Sequence, residues 1–536
     1  MGLGLQTDAA QAADQPIPAL SPTASTPAPR ARLIASFDGL GRSFTGPQGQ
    51  AFGRNPSDNS LAVGPNHIVQ VVNTRMAVFT KAGEMFGETG RALYGPIETR
   101  NVFRGFGGPC EAINNGDAVV RYDQLANRWL IVMPIFTRTP RRGPEPPALK
   151  AGQPAALSQP GRPDQPGPAR PLFQPAAAPL DVAVEGRAPE RPKGPDTGSY
   201  AMCYAVSATP DPLGAYYRYE FVRPLFPDYP RPALWPDGYY VPSSTGDQVI
   251  QKQACVAERT KMLRGEPARE LCVIVDGVNF LNNADLDGKI LPPKGAPNLV
   301  IAAGGSQLLG KTGDDALYFW KFHVDWDHPA RTTLSGPLRL PVAPYRYLCG
   351  GQLTKCTPQP RVEMKLDSQG DKITQRFAYR RLPAGEALVA THSVADEAGG
   401  GAVRWYELRL DHNRDPVLRQ QGTLAPDASF RWMPSPAMDR FGDIGVGYSF
   451  GDASTYVGQR FAGRLADDPP GAMGAETVLV HGQAAQADTL RWEDYAETVV
   501  DPVDDCTLWY VGDYLRAGDA AYSTRIGAFQ LGACGR

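Results

Sequence analysis

Arg491-Trp-Glu-Asp-Tyr-Ala-Glu-Thr-Val-Val-Asp-Pro-Val-Asp-Asp-Cys-Thr-Leu-Trp-Tyr-Val511 is the stretch whose reading decides the fold. It runs as polar lip, strand, tight turn, strand. Ala496–Val500 is a short β-prone run. Asp501-Pro502-Val503-Asp504-Asp505 is turn chemistry, because Pro presets φ and Asp bonds its own backbone. Thr507–Val511 returns with aromatic and β-branched residues that fit a pleated surface. A third run follows at Ser523–Leu531. The same grammar of a polar rim and then short antiparallel strands repeats loosely along the chain.

Working outward, Asp58–Asn73 with Ala77–Thr80 forms a first unit, turning at Gly64-Pro65-Asn66. A second begins at Asn114, turns at Gln124–Asn127 and continues past an interruption to Tyr200–Ser207 and Tyr216–Phe221. Tyr229–Val241 opens a third, turning at Pro236-Asp237-Gly238. Asn298–Ala303 and Ala316–Trp326 make a fourth. Gln375–Arg381, Glu386–Ser393 and Gly401–Leu410 make a fifth. Asp443–Ser449 and Val457–Ala462 make a sixth, and the opening stretch is the seventh. The expected fold is therefore all-β: a β-propeller of about seven four-stranded blades. A pair of stacked β-sheets is the alternative. Arg32–Phe37 is a strand placed to pair with the last blade and close the circle, which removes exposed edges.

Two segments lie outside this grammar. Residues 1–31 are expected to be a disordered leader, because Ala, Pro, Ser and Thr bury too little apolar surface to offset ordering entropy. Residues 139–198, rich in Pro, Ala, Gly and Arg, are read as a disordered insertion within a propeller spanning 32–536.

The chain has 536 residues and a formal net charge of −2, so no global field points to nucleic acid or to an anionic membrane. No run of about 18 apolar residues exists to span a bilayer. Eight cysteines without a Cys-x-x-Cys pair favour disulfides and a secreted or periplasmic protein whose signal peptide is absent from this sequence. Cys349 with Cys356 and Cys506 with Cys534 are close enough to be bridged. Cys203, Cys255 and Cys272 are candidates for a further bridge. A monomer is expected.

Several segments resemble uncharacterised secreted bacterial proteins with a sialidase-like β-propeller. They are Ser60-Leu-Ala-Val-Gly-Pro-Asn66, Gly116–Asp123 with Arg128-Trp129, Asp285-Leu-Asp-Gly288 with Pro292-Pro293, Asp439-Arg-Phe-Gly-Asp443, and the closing unit from Asp494-Tyr495 to Thr524-Arg-Ile526. The resemblance implies a propeller and export, and no particular reaction. The sialidase motif Ser-x-Asp-x-Gly-x-x-Trp has no recognisable copy.

In a propeller the residues just before each innermost strand crowd one mouth of the central channel, the default ligand site. Those positions supply Asp117, Asp443, Asp494 and Tyr495 as catalytic candidates, because paired carboxylates suit acid–base work on a glycosidic bond. Arg231, Arg376 and Arg440 are ligand-binding candidates able to clamp a carboxylate. Trp492 offers a face for a sugar ring, and Glu111 lies just upstream of the second unit. For any one of these residues, turn capping or pairing between blades is the plainer explanation.

No cofactor is expected. Asp501, Asp504 and Asp505 leave room for a structural calcium, while Asp285–Gly288 lacks the downstream Glu of a calcium loop and reads as a turn. Six scattered histidines without His-Glu-x-x-His exclude the familiar zinc hydrolases, and no Gly-x-Ser-x-Gly elbow occurs. The leading reading is a secreted propeller binding a glycan or other polar extracellular ligand. The alternatives are a sialidase-like glycoside hydrolase or lyase acting on an acidic glycan, and a protein-interaction scaffold.

Overall fold

The computed structural model describes residues 28–52, 55–139, 198–223, 225–243, 251–305, 315–351 and 355–534, and the backbone of 155–156. The expected leader up to residue 27, and the expected insertion from 140 to 197 apart from Ala155–Ala156, lie outside these residues. Ala155–Ala156 pairs with Leu271 and Cys272 at the edge of a sheet.

Among the described residues the chain is nearly all antiparallel strand, with short helical turns such as Gly108–Ala112 and Arg259–Met262. Seven four-stranded meanders follow one another. Their first strands are Asn59–Val63, Val119–Asp123, Ala233–Trp235, Asn282–Asp287, Phe377–Leu382, Phe430–Met438 and Glu497–Val500. The fourth and fifth meanders are joined by parallel pairing of their first strands, Ala284 opposite Phe377 through Asp287 opposite Arg380. The seventh is completed by Ala31–Gly41, which pairs antiparallel with Ser523–Leu531. The first residues of the folded chain are thereby tied to its last strands.

Many strands read as continuous apolar runs because both faces are covered. His67–Val72 and Arg128–Ile135 are almost wholly buried. An apolar layer separates each sheet from the next. Val69, Val71 and Val78 of the first sheet meet Trp129, Ile131 and Met133 of the second. Phe461 of the sixth stacks on Phe529 of the seventh, with ring centroids 4.1 Å apart. The succession closes where Trp509, Val511 and Ile526 of the seventh sheet pack on Leu61, Ile68 and Phe79 of the first. Each such aliphatic or aromatic side chain contributes about 1.5–3 kcal/mol by leaving water. Gly447 makes room for this packing, since a Cβ there would lie 2.2 Å from the Tyr510 ring.

Two assignments made from sequence are corrected. Asp285-Leu286-Asp287 is the end of a first strand rather than a turn. Its two carboxylates, two residues apart, share the face that meets Arg121 and Arg376. In the sixth sheet the first strand is Phe430–Met438, not Ile444–Gly451. Pro434 and Pro436 argue against a strand, yet they are tolerated here beside a register shift between Trp432 and Ser435.

Four disulfides are present: Cys110–Cys203, Cys255–Cys272, Cys349–Cys356 and Cys506–Cys534. Cys203 therefore bridges to Cys110, which sequence spacing did not single out. No helix among the described residues is long and apolar enough to cross a membrane.

Candidate functional site

The segments leading into the first strands bring side chains from remote parts of the chain to one place. Asp58 precedes the first sheet, Asp117 the second, Asp228 and Tyr229 the third, Phe280 the fourth, Asp371 and Lys372 the fifth, and Asp494 and Tyr495 the seventh. We call this end of the sheets the mouth.

Carboxylates dominate it. Asp58, Asp117 and Asp494 face one another closely enough to repel, and Asp228 adds a fourth charge beside Asp117. Burial pushes the Asp58 and Asp117 carboxyls well above the usual carboxylate range, and the neighbouring carboxylates push them further. Asp58 accepts a hydrogen bond from Asn73 Nδ2 through Oδ2, whereas its buried Oδ1 has no hydrogen-bond partner among the described residues. Asp494 is held by Arg491 and by Gln369 Nε2 at 3.0 Å. Arg491 Nε also lies 3.1 Å from Asp367 Oδ2. Burial and then Asp494 raise Asp367 to about 7.

Beside the carboxylates lies an apolar plug of Val119, Tyr229, Phe280 and Tyr495. The Tyr229 and Tyr495 rings meet edge to face at 5.1 Å. Tyr229 donates its hydroxyl to the Asp494 carbonyl at 2.6 Å. The Tyr495 hydroxyl is buried without a hydrogen-bond partner among the described residues, and burial together with Asp58 and Asp117 raises it well above the ordinary phenol range.

Two cations rest on this plug. The Arg231 guanidinium sits 4.2 Å from the Tyr229 centroid and 5.0 Å from that of Phe280. Its Nη1 donates to the Leu281 and Ile373 carbonyls at 3.2 and 3.4 Å, and among the described residues it makes no ion pair. Burial lowers it to about 10. Lys372 Nζ sits 4.3 Å from the Phe280 centroid and 2.9 Å from Asp371 Oδ1, and burial lowers its pKa.

The backbone here is unusual as well. Asp58, Asp117, Tyr229, Gln369 and Asp494 all have positive φ, from 45° to 66°. Such conformations cost of order 1–3 kcal/mol each and collect where surrounding structure enforces them, often at functional sites. Most of the cluster is buried; Asp117, Asp228 and Arg491 are only half-buried and give it access to solvent.

Of the residues singled out from sequence, the structure brings together Asp117, Arg231, Asp494 and Tyr495. It places the others elsewhere. Arg376 lies along the inner strands, where its guanidinium reaches Asp285 Oδ2 and Asp287 Oδ1, each at 2.8 Å. Trp492 is fully buried, donating Nε1 to Ser449 Oγ at 2.9 Å and packing near Trp432, so no face is free for a sugar. Glu111 accepts from Gly105 N and Gly107 N at 2.8 and 2.7 Å, closing its own loop. Asp443 and Arg440 belong to the hairpin after Phe430–Met438, at the opposite end of that strand from the mouth. Asp443 accepts from Ala466 N, and Arg440 Nη1 donates to the Asp504 carbonyl. Sequence reading missed Asp228, Asp367, Asp371, Lys372 and Phe280. Asp228 and Phe280 lie within five residues of a first strand and carried a usable signal. Asp367 ends the two-residue strand Leu366–Asp367, and residues 368–372 follow as a loop without period; neither carried one.

The three carboxylates proposed for calcium are turned to different partners. Asp501 meets Lys81 at 2.6 Å, Asp504 caps Cys506 N and Thr507 N, and Asp505 is bidentate with Arg380.

No family model matches this sequence, and no curated protein matches it. Three solved structures show distant likeness. A protein of unknown function from Dyadobacter fermentans is 9% identical with TM-score 0.35, over 94% of this chain and 100% of its own. An ulvan lyase from a new family of polysaccharide lyases is 11% identical with TM-score 0.38, over 89% and 95%. The catalytic domain of an α-L-arabinofuranosidase from Coprinopsis cinerea is 9% identical with TM-score 0.26, over 56% and 90%.

Proposed function

We propose that the seven sheets are the blades of one β-propeller spanning residues 32–536, interrupted at 139–198, and that its mouth binds an extracellular glycan or similarly polar ligand. The closure of the seventh sheet on the first supports the ring. Four disulfides support an oxidising, secreted or periplasmic setting. One observation carries the binding reading: Asp58, Asp117, Asp494 and Tyr495 converge beside Arg231, a buried cation that makes no ion pair among the described residues. Protonated carboxyls donate hydrogen bonds to sugar oxygens, and Arg231 with Lys372 receives an acidic group. A uronic or sialic acid offers both features.

A second reading, a glycoside hydrolase or lyase, is favoured by the raised Asp117 carboxyl next to Asp494. A carboxylic acid kept protonated beside a second carboxylate is the pairing that acid–base cleavage of a glycosidic bond uses. Asp117 would serve as acid, and Asp494 as base or nucleophile. A panel of acidic and neutral glycans, scored for retention and for turnover, separates the cases. Retention without turnover, lost in Arg231→Met, fits the binding protein. Turnover lost in Asp117→Asn fits the enzyme. Neither on any glycan leaves a scaffold for protein partners.

A further inference from the structure

The end of the sheets opposite the mouth carries a different surface. Nine large apolar side chains are exposed among the described residues, and four of them, Ile290, Leu291, Phe441 and Val503, lie on three hairpin loops at this end. Val503 is the most exposed of the nine, at 64%. The three loops are linked, the first of them through the end of Phe377–Leu382. There Arg381 Nη1 donates to the Leu291 carbonyl at 2.8 Å, while the adjacent Arg380 is bidentate with Asp505. Arg440 Nη1 donates to the Asp504 carbonyl at 2.7 Å, and Arg440 N donates to the Asp505 carbonyl. Three exposed cations, Lys289, Arg381 and Arg440, stand between the apolar tips, and none makes an ion pair among the described residues. Arg440 lies over the Phe441 ring at 4.8 Å. The nearby acids are engaged: Asp505 is bidentate with Arg380, and Asp504 caps its own turn.

We propose that this end docks on an anionic lipid surface, with Ile290, Leu291, Phe441 and Val503 entering the headgroup layer and Lys289, Arg381 and Arg440 meeting lipid phosphates. Apolar tips interleaved with cations are the combination that holds peripheral proteins at a charged interface. A polar glycan would leave the apolar tips in water. An acidic protein would satisfy the cations, but apolar tips carried on hairpins of the fourth, sixth and seventh sheets are spread along one end of the molecule and suit a broad flat surface. The net charge of −2 is a sum over the whole chain and does not report this patch. The inference uses the proposed ring only to set these hairpins at one end, so loss of glycan retention at the mouth would leave it standing.

The test is cosedimentation of the whole chain with vesicles of phosphatidylcholine alone, and with vesicles in which about a third is phosphatidylglycerol. The expected result is binding to the anionic vesicles that weakens with salt and falls about fivefold for each of Arg381→Gln and Arg440→Gln. Val503→Ser and Phe441→Ser should weaken binding at every salt concentration. All four side chains are exposed, so thermal melts of these variants should match wild type and exclude misfolding. Equal or no binding to the two vesicle types overturns the proposal, as do variants that bind like wild type. Capture by polyglutamate without vesicle binding would assign the surface to an acidic polypeptide and overturn it equally.

Discussion

The mouth and the inner-strand wall bury the same side chains to opposite effect. Along the wall, Asp285, Asp287 and Glu497 meet Arg121 and Arg376: Arg376 binds both aspartates at 2.8 Å, and Arg121 Nη1 reaches Glu497 at 2.6 Å. Burial raises Asp287 and Glu497, and the arginines oppose that rise. At the mouth, burial raises Asp58 and Asp117, and neighbouring carboxylates reinforce it. On the wall every carboxylate faces an arginine, three acids sharing two guanidinium groups. The mouth holds a larger excess of acid, and Arg231, which makes no ion pair among the described residues, rests on aromatic faces instead of on those acids. Matched buried charge is a structural device; mismatched buried charge is a reservoir of protons and of unmet hydrogen bonds.

The largest expected difference between the two regions is therefore in stability. Arg376→Met leaves Asp285 and Asp287 buried without their main cation, and should cost about 3–5 kcal/mol in a urea titration. Asp58→Asn removes a repelled carboxylate and keeps an acceptor for Asn73. It should stabilise the protein at pH 7, by on the order of 1–2 kcal/mol. If Asp58→Asn destabilises as much as Arg376→Met, the mouth is as well matched as the wall and the contrast is void.

The next effect is on pH dependence. A carboxyl whose pKa is raised by folding binds protons in the native state that it has lost in the unfolded chain. Stability from such a group is present at low pH and falls as pH rises from the ordinary carboxylate range, roughly 4, through the folded pKa. For Asp367 that window ends at about 7; Asp58 and Asp117, also raised well above the usual carboxylate range, act in the same direction. Wild type should lose stability as pH rises from about 4 to about 7. The Asp58→Asn, Asp117→Asn double variant should flatten that slope. A slope unchanged by the double variant would place the proton uptake elsewhere.

A smaller stability effect with a larger binding effect is expected at Arg231. It makes hydrogen bonds to two carbonyls and cation–π contacts, but no ion pair among the described residues, so Arg231→Met should cost only about 1–2 kcal/mol. Retention of an acidic glycan should fall by an order of magnitude or more. Arg376→Met, assayed under conditions where it remains folded, should retain the glycan. The reverse pattern would move the ligand from the mouth to the wall.

Much of this organisation was legible from sequence because continuous apolar and β-branched runs, with turn chemistry between them, mark strands whose faces are both buried. Asp117, Asp494 and Tyr495 were found since each sits just before a strong β run. The sixth unit misled because Pro434 and Pro436 interrupt its first strand. Ile444–Gly451, the stronger run, took its place, and that shifted Asp443 and Arg440 to the wrong end. Asp285 and Asp287 misled for a related reason. Acid residues two apart before a glycine have the composition of a turn; here they pair in parallel with Phe377–Arg380, and Arg376 meets both carboxylates. Contacts that distant leave no local trace. Nor does the 367–372 segment, whose Asp367, Asp371 and Lys372 matter only through the residues they meet.

The smallest expected effect is also the sharpest check on that lesson. Asp443 precedes a strong β-strand, as Asp117 and Asp494 do, and from sequence the three are equivalent. In the structure its Oδ1 accepts a hydrogen bond from Ala466 N, and the charged groups that interact with it are Asp439, Asp467, Asp468 and Arg464 rather than the mouth carboxylates. Asn supplies the same acceptor, so Asp443→Asn should change stability by less than about 1 kcal/mol. Ligand retention and any turnover should be untouched, while Asp117→Asn and Asp494→Asn alter both. The comparison is controlled: three aspartates of similar sequence context, two at one end of the sheets and one at the other. If Asp443→Asn abolishes binding along with the other two, strand context outweighs the end at which the side chain lies, and the mouth is not the site.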